Sequence, residues 1–162
     1  MGARSGGDVI RMFPGARLAL QQFYEGQLGE ATRIAAASSA DTPLAVQIGR
    51  SAMDLIEVVP GVTVREVFAK GWPEGFEGNL QIGRSAPLTS NKSKSHFPIL
   101  RAETGIDYDG MLYFDDASWD RHDLIVAAEC PGVVAIRTPE GLQPYHWEEG
   151  LKKYAAQAAK VN

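Results

Sequence analysis

Two adjacent acids, Asp115 and Asp116, follow an apolar run and are the residues of this chain best suited to chemistry. Adjacent carboxylates repel one another unless a cation or a basic partner balances them. Proteins bind Mg²⁺ through one or two carboxylates together with water and substrate phosphate. The pair therefore predicts a magnesium or phosphate site. The structural alternative is a capping role, because acidic side chains also stabilise the N-terminus of a helix.

Hydroxyl and lysine side chains elsewhere could complete such a site. Ser38 and Ser39 follow the apolar run 34–37, and Lys92 and Lys94 precede a predicted helix. A hydroxyl and an ammonium hold phosphate oxygens through hydrogen bonds and charge. Taken alone, Ser38 is equally well explained as a capping residue, and the two lysines as solvated surface charges. Their combination with the paired acids favours a phosphate site.

The elements that must position these residues alternate between short apolar runs and amphipathic stretches. Strands are predicted at 32–37, 79–82, 111–114 and 133–136, and helices at 14–28, 42–55, 96–104, 123–129 and 145–159. Strands that alternate with helices imply an α/β fold with a parallel sheet covered by helices on both faces. Ligands of open α/β sheets bind beyond the carboxyl ends of the strands. The serines and the paired acids should therefore meet at one edge.

The same patterns give expectations about burial. Leu44, Ile48, Met53 and Leu55 recur at helical spacing and are predicted to face the core from the second helix. His146 opens the last helix and is predicted to lie at the surface. From residue 58 to residue 91 glycine and proline interrupt the pattern, so few elements are predicted there.

Composition limits the class of protein. A chain of 162 residues with 44% hydrophobic and 22% charged residues can bury the core of one domain. Sixteen basic against twenty acidic residues give a net charge of -4, which indicates neither a nucleic-acid surface nor a polybasic membrane anchor. The single Cys130 excludes an internal disulfide, is expected to be buried and inert, and suits a reducing compartment. We therefore expect one cytoplasmic domain over residues 1–162.

The ordered motifs resemble a known family. They are IAAASS at 34–39, a lysine shortly before the His96-Phe97 pair, TGI at 104–106 and MLYFDD at 111–116, with FPGARLAL at 13–20 and PGVVAIRTPEGL at 131–142 in support. Together they resemble the magnesium-dependent phosphatase branch of the haloacid dehalogenase superfamily, from about Val9 onward. The resemblance implies a haloacid dehalogenase-like doubly wound parallel sheet and hydrolysis of phosphomonoesters, either small phosphorylated molecules or phosphotyrosine.

The resemblance also assigns roles to individual residues. It implies phosphate binding by Ser38, with Ser39 beside it, and by either Lys92 or Lys94, and Mg²⁺ binding by Asp115 and Asp116 with Asp120 as a possible helper. An ungapped match of the family's lysine falls on Ser93, between the two lysines, so the acting lysine is open. Ser39 stands where the family often has arginine.

The largest departure from the family is a missing nucleophile. The family carries an apolar strand that ends in Asp-x-Asp-x-Thr, whose first aspartate attacks phosphorus and whose second protonates the leaving group. The first forty residues contain only Asp8, and no apolar strand precedes it. Asp107 and Asp109 form an Asp-x-Asp, but they precede the 111–114 strand and would lie on the order of 15 Å from the paired acids. They are interpreted as loop and turn residues.

Two hypotheses follow. The first is a Mg²⁺-dependent phosphatase with an aspartyl-phosphate mechanism, inactive as written because the chain is truncated before its nucleophile. The second is a non-catalytic module that binds phosphate or metal. In both, the absent first strand would be central, between the strands that end at Ala37 and Phe114, and two strand edges would be left without a partner.

Overall fold

The computed structural model describes residues 2–117 and 120–161, and it shows an α/β protein. The strands are β1 Ala3–Ser5, β2 Asp8–Ile10, β3 Ala36–Ser38, β4 Glu57–Val59, β5 Val62–Thr63, β6 Leu80–Ile82, β7 Leu112–Asp115 and β8 Val134–Arg137. The helices are α1 Pro14–Tyr24, α2 Pro43–Leu55, α3 Val64–Ala69, α4 His96–Thr104, α5 His122–Glu129 and α6 Pro144–Val161. Among the helices of the described residues, none has the length and apolar character needed to cross a membrane.

The strands pair two by two. The hairpins β1–β2 and β4–β5 are antiparallel, whereas β3–β6 and β7–β8 are parallel pairs in which Ser38 lies opposite Ile82 and Asp115 opposite Arg137. Helix α4 packs on β3 and β6, while α5 and α6 pack on β7 and β8. This arrangement is compatible with a haloacid dehalogenase-like fold. In the described part of the chain the parallel pairs do not join into one sheet, and the doubly wound sheet remains a prediction.

Strands β3 and β7 each use one edge for pairing. The backbone N–H of Ala36 and the carbonyl of Ser38 form hydrogen bonds with residues on the β6 side. The N–H and carbonyl of Ala37 therefore face the opposite edge of β3. In β7 the carbonyl of Asp115 accepts from the N–H of Thr138, on the β8 side. Within the described residues β3 and β7 do not pair with each other. A further strand between them stays a prediction.

Two hydrophobic clusters hold these elements together. One lies under β7 and β8, where α4 and α5 meet them; it contains Phe97, Tyr113, Val126, Cys130 and Val133. The other joins α1 to β4 and α3; it contains Leu20, Phe23, Val58 and Val67. Each large side chain buried in this way stabilises the fold by roughly 1.5–3 kcal/mol. Cys130 is buried, as predicted, and burial raises the pKa of its thiol.

Local signals predict some element ends and miss others. Helix α4 spans 96–104 as predicted, because Gly105 adopts the left-handed conformation at its C-terminus, with φ 68°. Helix α1 ends at Tyr24 rather than at residue 28, and Gly26 follows with φ 79°. Strand β3 begins later and ends one residue later than the predicted 32–37. Ser38 is therefore its last residue rather than the first residue after it.

The burial of two leucines in α2 was predicted wrongly. Leu44 and Leu55 are 64% and 63% exposed, while Ile48 and Met53 are half-buried. The helix packs on β1, β5 and α3, which are short elements and cover only part of its apolar face. Periodicity identifies that face, but it does not reveal how much of it is covered.

The surface position predicted for His146 is also wrong. His146 is buried, and its Nδ1 accepts a hydrogen bond of 3.2 Å from the backbone N–H of Gln143 before α6. The neighbouring Trp147 packs against Phe114 and donates its indole N–H to Gln22 at 2.7 Å. The first turn of α6 is therefore fixed against β7 and α1.

The segment between α2 and α4 contains elements that the weak pattern did not predict. Thr63 and Glu66 form a capping box at the start of α3, a signal that the Thr-x-x-Glu spacing carries. In the following loop the rings of Trp72 and Phe76 stack at 4.7 Å, and the guanidinium of Arg33 lies over Trp72. These aromatic residues pack the loop against the domain.

Candidate functional site

The ends of β3 and β7 meet at the loop that precedes α4. From this loop Lys92 reaches the carboxylate of Asp115, the last residue of β7. One turn later, His96 reaches the backbone carbonyl of Ser38, the last residue of β3. Three segments that are distant in sequence therefore converge at the carboxyl ends of two strands, which is where ligands bind in α/β proteins.

Lys92 and Asp115 form a buried ion pair. Their side chains are 9% and 4% exposed. The Lys92 ammonium also donates to the Tyr113 hydroxyl at 3.1 Å, and that hydroxyl donates to Asp115. The other carboxylate oxygen of Asp115 accepts from the N–H of Ala117 at 2.9 Å. The carboxylate thus has three hydrogen-bond donors, and its charge is balanced inside the protein.

The protonation states of this group follow from its surroundings. Burial opposes ionisation of Asp115, but hydrogen bonds from Lys92 and Tyr113 outweigh it and hold the pKa of Asp115 below its usual value. Burial, and then the hydrogen bond to Asp115, raise the pKa of Tyr113 far above its usual value. At neutral pH the carboxylate is therefore ionised and the phenol keeps its proton.

The loop around Lys92 has its own hydrogen-bond network. The Asn91 side-chain oxygen accepts from the backbone N–H of Ser93 at 3.0 Å and lies 2.6 Å from its hydroxyl. That hydroxyl also lies 2.5 Å from the Glu129 carboxylate on α5. Ser93 and Lys92 are buried, whereas Lys94 is exposed. Of the two lysines that the sequence left open, only Lys92 forms an ion pair with Asp115 in the described part of the chain.

His96 ties the end of β3 to α4. The side chain is fully buried at 0% exposure, and its Nε2 lies 3.0 Å from the Ser38 carbonyl. Because a carbonyl only accepts, Nε2 carries the proton, and Nδ1 lies 3.0 Å from the Ser95 hydroxyl. Burial lowers the pKa of His96, so the ring is neutral at pH 7. The N–H of Gly83 also donates to the Ser38 carbonyl at 2.8 Å.

The two serines after the 34–37 run differ in their contacts. Ser38 is half-buried, and among the described residues its hydroxyl has no protein partner, so it can donate to a ligand. The carbonyl of Ser39 accepts from the guanidinium of Arg84 at 2.7 Å. Arg84 follows β6 and is exposed, which places a further cation at this edge.

The remaining predicted acids are exposed. Asp116 follows β7 directly, and Asp120 lies shortly before α5. Since α5 begins at His122, with Arg121 at its N-cap, Asp115 and Asp116 do not cap this helix. The structural alternative considered for the paired acids is therefore not formed.

Carboxylate oxygens are the ligand type that Mg²⁺ prefers, and Asp116 offers them to solvent. Asp115 is buried, and a metal there would compete with the hydrogen bonds that its two oxygens accept from Lys92, Tyr113 and the N–H of Ala117. Over residues 2–117 and 120–161 no three His, Cys, Asp or Glu side chains form a group that could hold a metal ion. The exposed carboxylate of Asp116 is a ligand type that fits an ion completed by water and a phosphate ligand, and the Mg²⁺ site itself stays a prediction.

The Asp-x-Asp sequence before β7 is remote from this edge. Asp107 forms an exposed ion pair with Arg101 at 2.7 Å, and Asp109 lies in the 3₁₀ turn Tyr108–Gly110. Both precede β7, whereas Asp115 ends it. Their interpretation as loop and turn residues is confirmed.

Sequence reasoning missed several residues at this edge. The patterns predict Tyr113 only as part of the strand 111–114, and they give no functional role to His96 or Arg84. His122 is buried at the start of α5, and its Nδ1 has no partner in the described part of the chain. The available signal was alternation, since Tyr113 and Asp115 lie two residues apart and share one face of β7.

The fold and the site together define an α/β protein with a buried lysine, a free hydroxyl and paired acids at the carboxyl ends of parallel strands. A family model described as Acid Phosphatase matches residues 4–157. The chain belongs to the acid phosphatase family, which indicates a phosphatase function in general. No curated protein and no solved structure matches the chain.

Proposed function

We propose that this chain forms the phosphate- and Mg²⁺-binding part of a cytoplasmic phosphomonoesterase that works through an aspartyl-phosphate intermediate. The observation that carries the proposal is the buried Lys92 ammonium at the end of β7. An ammonium has three N–H donors, and Asp115 and Tyr113 accept two of them. One donor therefore remains for a phosphate oxygen.

The Ser38 hydroxyl supplies a second donor from the end of β3. His96 and Gly83 fix the Ser38 carbonyl, so the backbone that carries this hydroxyl is held in place. A charged donor on the loop before α4 and a neutral donor at the end of β3 would orient a phosphoryl group and offset its charge. Small phosphomonoesters and phosphotyrosine both present such a group, and we propose these as substrates.

Mg²⁺ is part of the proposal. Asp116 would hold it first, with Asp115 after displacement of its present donors and Asp120 as a further carboxylate. When bound, the ion would offset the negative charge of the phosphoryl group. Lys92 is buried at the same edge and Arg84 is exposed there, so the chain contributes basic side chains of its own.

The aspartates considered for the covalent step do not present a free carboxylate at this edge. Asp8 lies in the β1–β2 hairpin opposite Ser5, Asp107 and Asp109 lie at the other end of β7, and Asp115 is held by Lys92. We therefore propose that these 162 residues bind phosphate without turnover. This observation also favours the second candidate function, a non-catalytic module that binds phosphate or metal.

Calorimetry and an aryl phosphate assay test both candidates. Inorganic phosphate is titrated into the full chain, with and without Mg²⁺, and hydrolysis of p-nitrophenyl phosphate is followed separately. We expect Lys92→Met to weaken phosphate binding about tenfold or more, as for loss of a charged hydrogen bond, and the matched Lys94→Met to leave it unchanged. Circular dichroism checks that both variants fold.

Two results would contradict these proposals. If neither Mg²⁺ nor phosphate binds, both candidate functions fail. If the chain hydrolyses the aryl phosphate with Mg²⁺ and Asp115→Asn abolishes this activity, the proposed lack of turnover is wrong.

A further inference from the structure

Tyr113 belongs to the core and to the candidate site at once. Its ring packs edge-on against Phe97, with centroids 4.9 Å apart, inside the cluster under β7. Side chains alternate along a strand, so Tyr113 and Asp115 project from the same face. The phenol therefore extends from the core to the carboxylate two residues further along β7.

The hydroxyl of Tyr113 makes two hydrogen bonds of opposite sense. It accepts from the Lys92 ammonium at 3.1 Å and donates to Asp115. Lys92 also donates to Asp115 directly. Each of the three side chains thus contacts the other two, and all three are buried. The positive charge of Lys92 balances the negative charge of Asp115, and the Tyr113 hydroxyl forms a hydrogen bond with each of them.

A lysine ammonium needs such a link if it is to present one N–H in a fixed direction. Lysine carries a point charge on a flexible four-carbon stem, and its donors rotate about the terminal bond. A single carboxylate fixes one N–H and leaves that rotation open. A second acceptor at a different angle fixes two donors, and the third then has one direction.

We propose that Tyr113 is a positioning residue of the phosphate site, whose hydroxyl orients the Lys92 ammonium so that its third N–H points to the phosphate. This inference rests on the proposed function, because it assumes that Lys92 binds phosphate. A purely structural Tyr113 would use its hydroxyl only to satisfy the buried carboxylate. In that case its loss would change the stability of the fold but not the affinity for phosphate.

The matched variant is Tyr113→Phe, which keeps the ring against Phe97 and removes only the hydroxyl. The control is Tyr108→Phe, since Tyr108 packs on the same cluster but precedes β7. Inorganic phosphate is titrated into each full chain by calorimetry. We expect Tyr113→Phe to weaken binding about three- to tenfold, within the range for one lost hydrogen bond. We expect Tyr108→Phe to bind within about twofold of the wild type.

A measurement on the unmodified chain covers the case in which Tyr113→Phe does not fold. In ¹⁵N-labelled protein the Lys92 ammonium and the Tyr113 hydroxyl proton are followed by NMR as inorganic phosphate is added. If the hydroxyl holds the ammonium at the phosphate, both signals shift along one binding curve. A Lys92 signal that shifts while the Tyr113 hydroxyl does not would overturn the inference.

The outcomes separate the two proposals. If Tyr113→Phe binds phosphate as the wild type does while Lys92→Met loses binding, Tyr113 is structural and the proposed function stands. If the wild type binds no phosphate, or Lys92→Met binds as well as the wild type, the proposed function fails and the positioning role fails with it.

Discussion

Removal of one partner from the Lys92–Asp115 pair should destabilise the protein strongly. Both side chains are buried, so water cannot solvate the charge that is left behind. Lys92→Met shortens the side chain by one atom and removes the charge. Asp115 then retains only the Tyr113 hydroxyl and the N–H of Ala117 as donors. Asp115→Asn is the complementary change, and it leaves Lys92 with the Tyr113 hydroxyl.

The magnitude follows from these remaining contacts. Loss of one partner of a buried pair costs about 3–5 kcal/mol, and the two donors left on Asp115 place Lys92→Met near the lower end, at roughly 3 kcal/mol. For a domain of this size, each kcal/mol shifts Tm by about 2–4 °C, so Tm should fall by roughly 6–12 °C. The double variant leaves neither charge buried alone, and it should cost about 2 kcal/mol less than the sum of the single variants.

Urea unfolding of the four proteins in this double-mutant cycle measures the coupling. The exposed pair Arg101–Asp107 provides a matched control, because its side chains are 53% and 68% exposed. Its coupling should lie between about 0 and 1 kcal/mol. If the costs of Lys92→Met and Asp115→Asn add to within about 0.5 kcal/mol, the two charges do not interact and the reasoning is refuted.

Two further predictions concern a pH effect and a backbone contact. Because the pKa of folded His96 is lowered by burial, the unfolded chain binds the extra proton first. The free energy of unfolding of the wild type minus that of His96→Gln should be constant above about pH 6.5. Below that pH it should fall by up to about 1.4 kcal/mol per pH unit. If urea unfolding gives the same difference at every pH from 7.5 to 5.5, this prediction is wrong. A Cβ on Gly15 would lie 2.3 Å from the backbone of Gln143, so Gly15→Ala should cost about 1–3 kcal/mol. The control is Gly49→Ala in α2, whose added Cβ meets nothing within 4 Å and should stabilise the protein by about 0.5–1 kcal/mol. If both substitutions shift the Tm of thermal unfolding in the same direction, the packing argument is refuted.

The sequence alone was sufficient for features that depend on neighbouring residues. Alternation of apolar runs with amphipathic stretches predicted the α/β class, and the left-handed Gly105 ends α4 where the pattern predicts. The run before Asp115 predicted β7 and placed the paired acids at its carboxyl end. These signals are local, because a strand face or a helix end is determined by residues a few positions apart.

The choice between Lys92 and Lys94 could not be made from the sequence. The two lysines flank Ser93 and carry the same charge. In the structure the turn at Asn91 places Lys92 against β7, a strand that begins twenty residues later in the chain. Likewise the apolar face of α2 was correctly located, but the exposure of Leu44 and Leu55 depends on which elements pack over it.

Sequence periodicity and motif order therefore determined the class of fold, the edge at which a site should lie and the residue types available there. Only the tertiary structure decided that Lys92 pairs with Asp115, that Tyr113 links them and that His96 fixes the carbonyl of Ser38. The physical reason is that the contacts of Lys92 and His96 join residues 21 to 58 positions apart. Their formation depends on how helices and strands pack, and no local pattern records that packing.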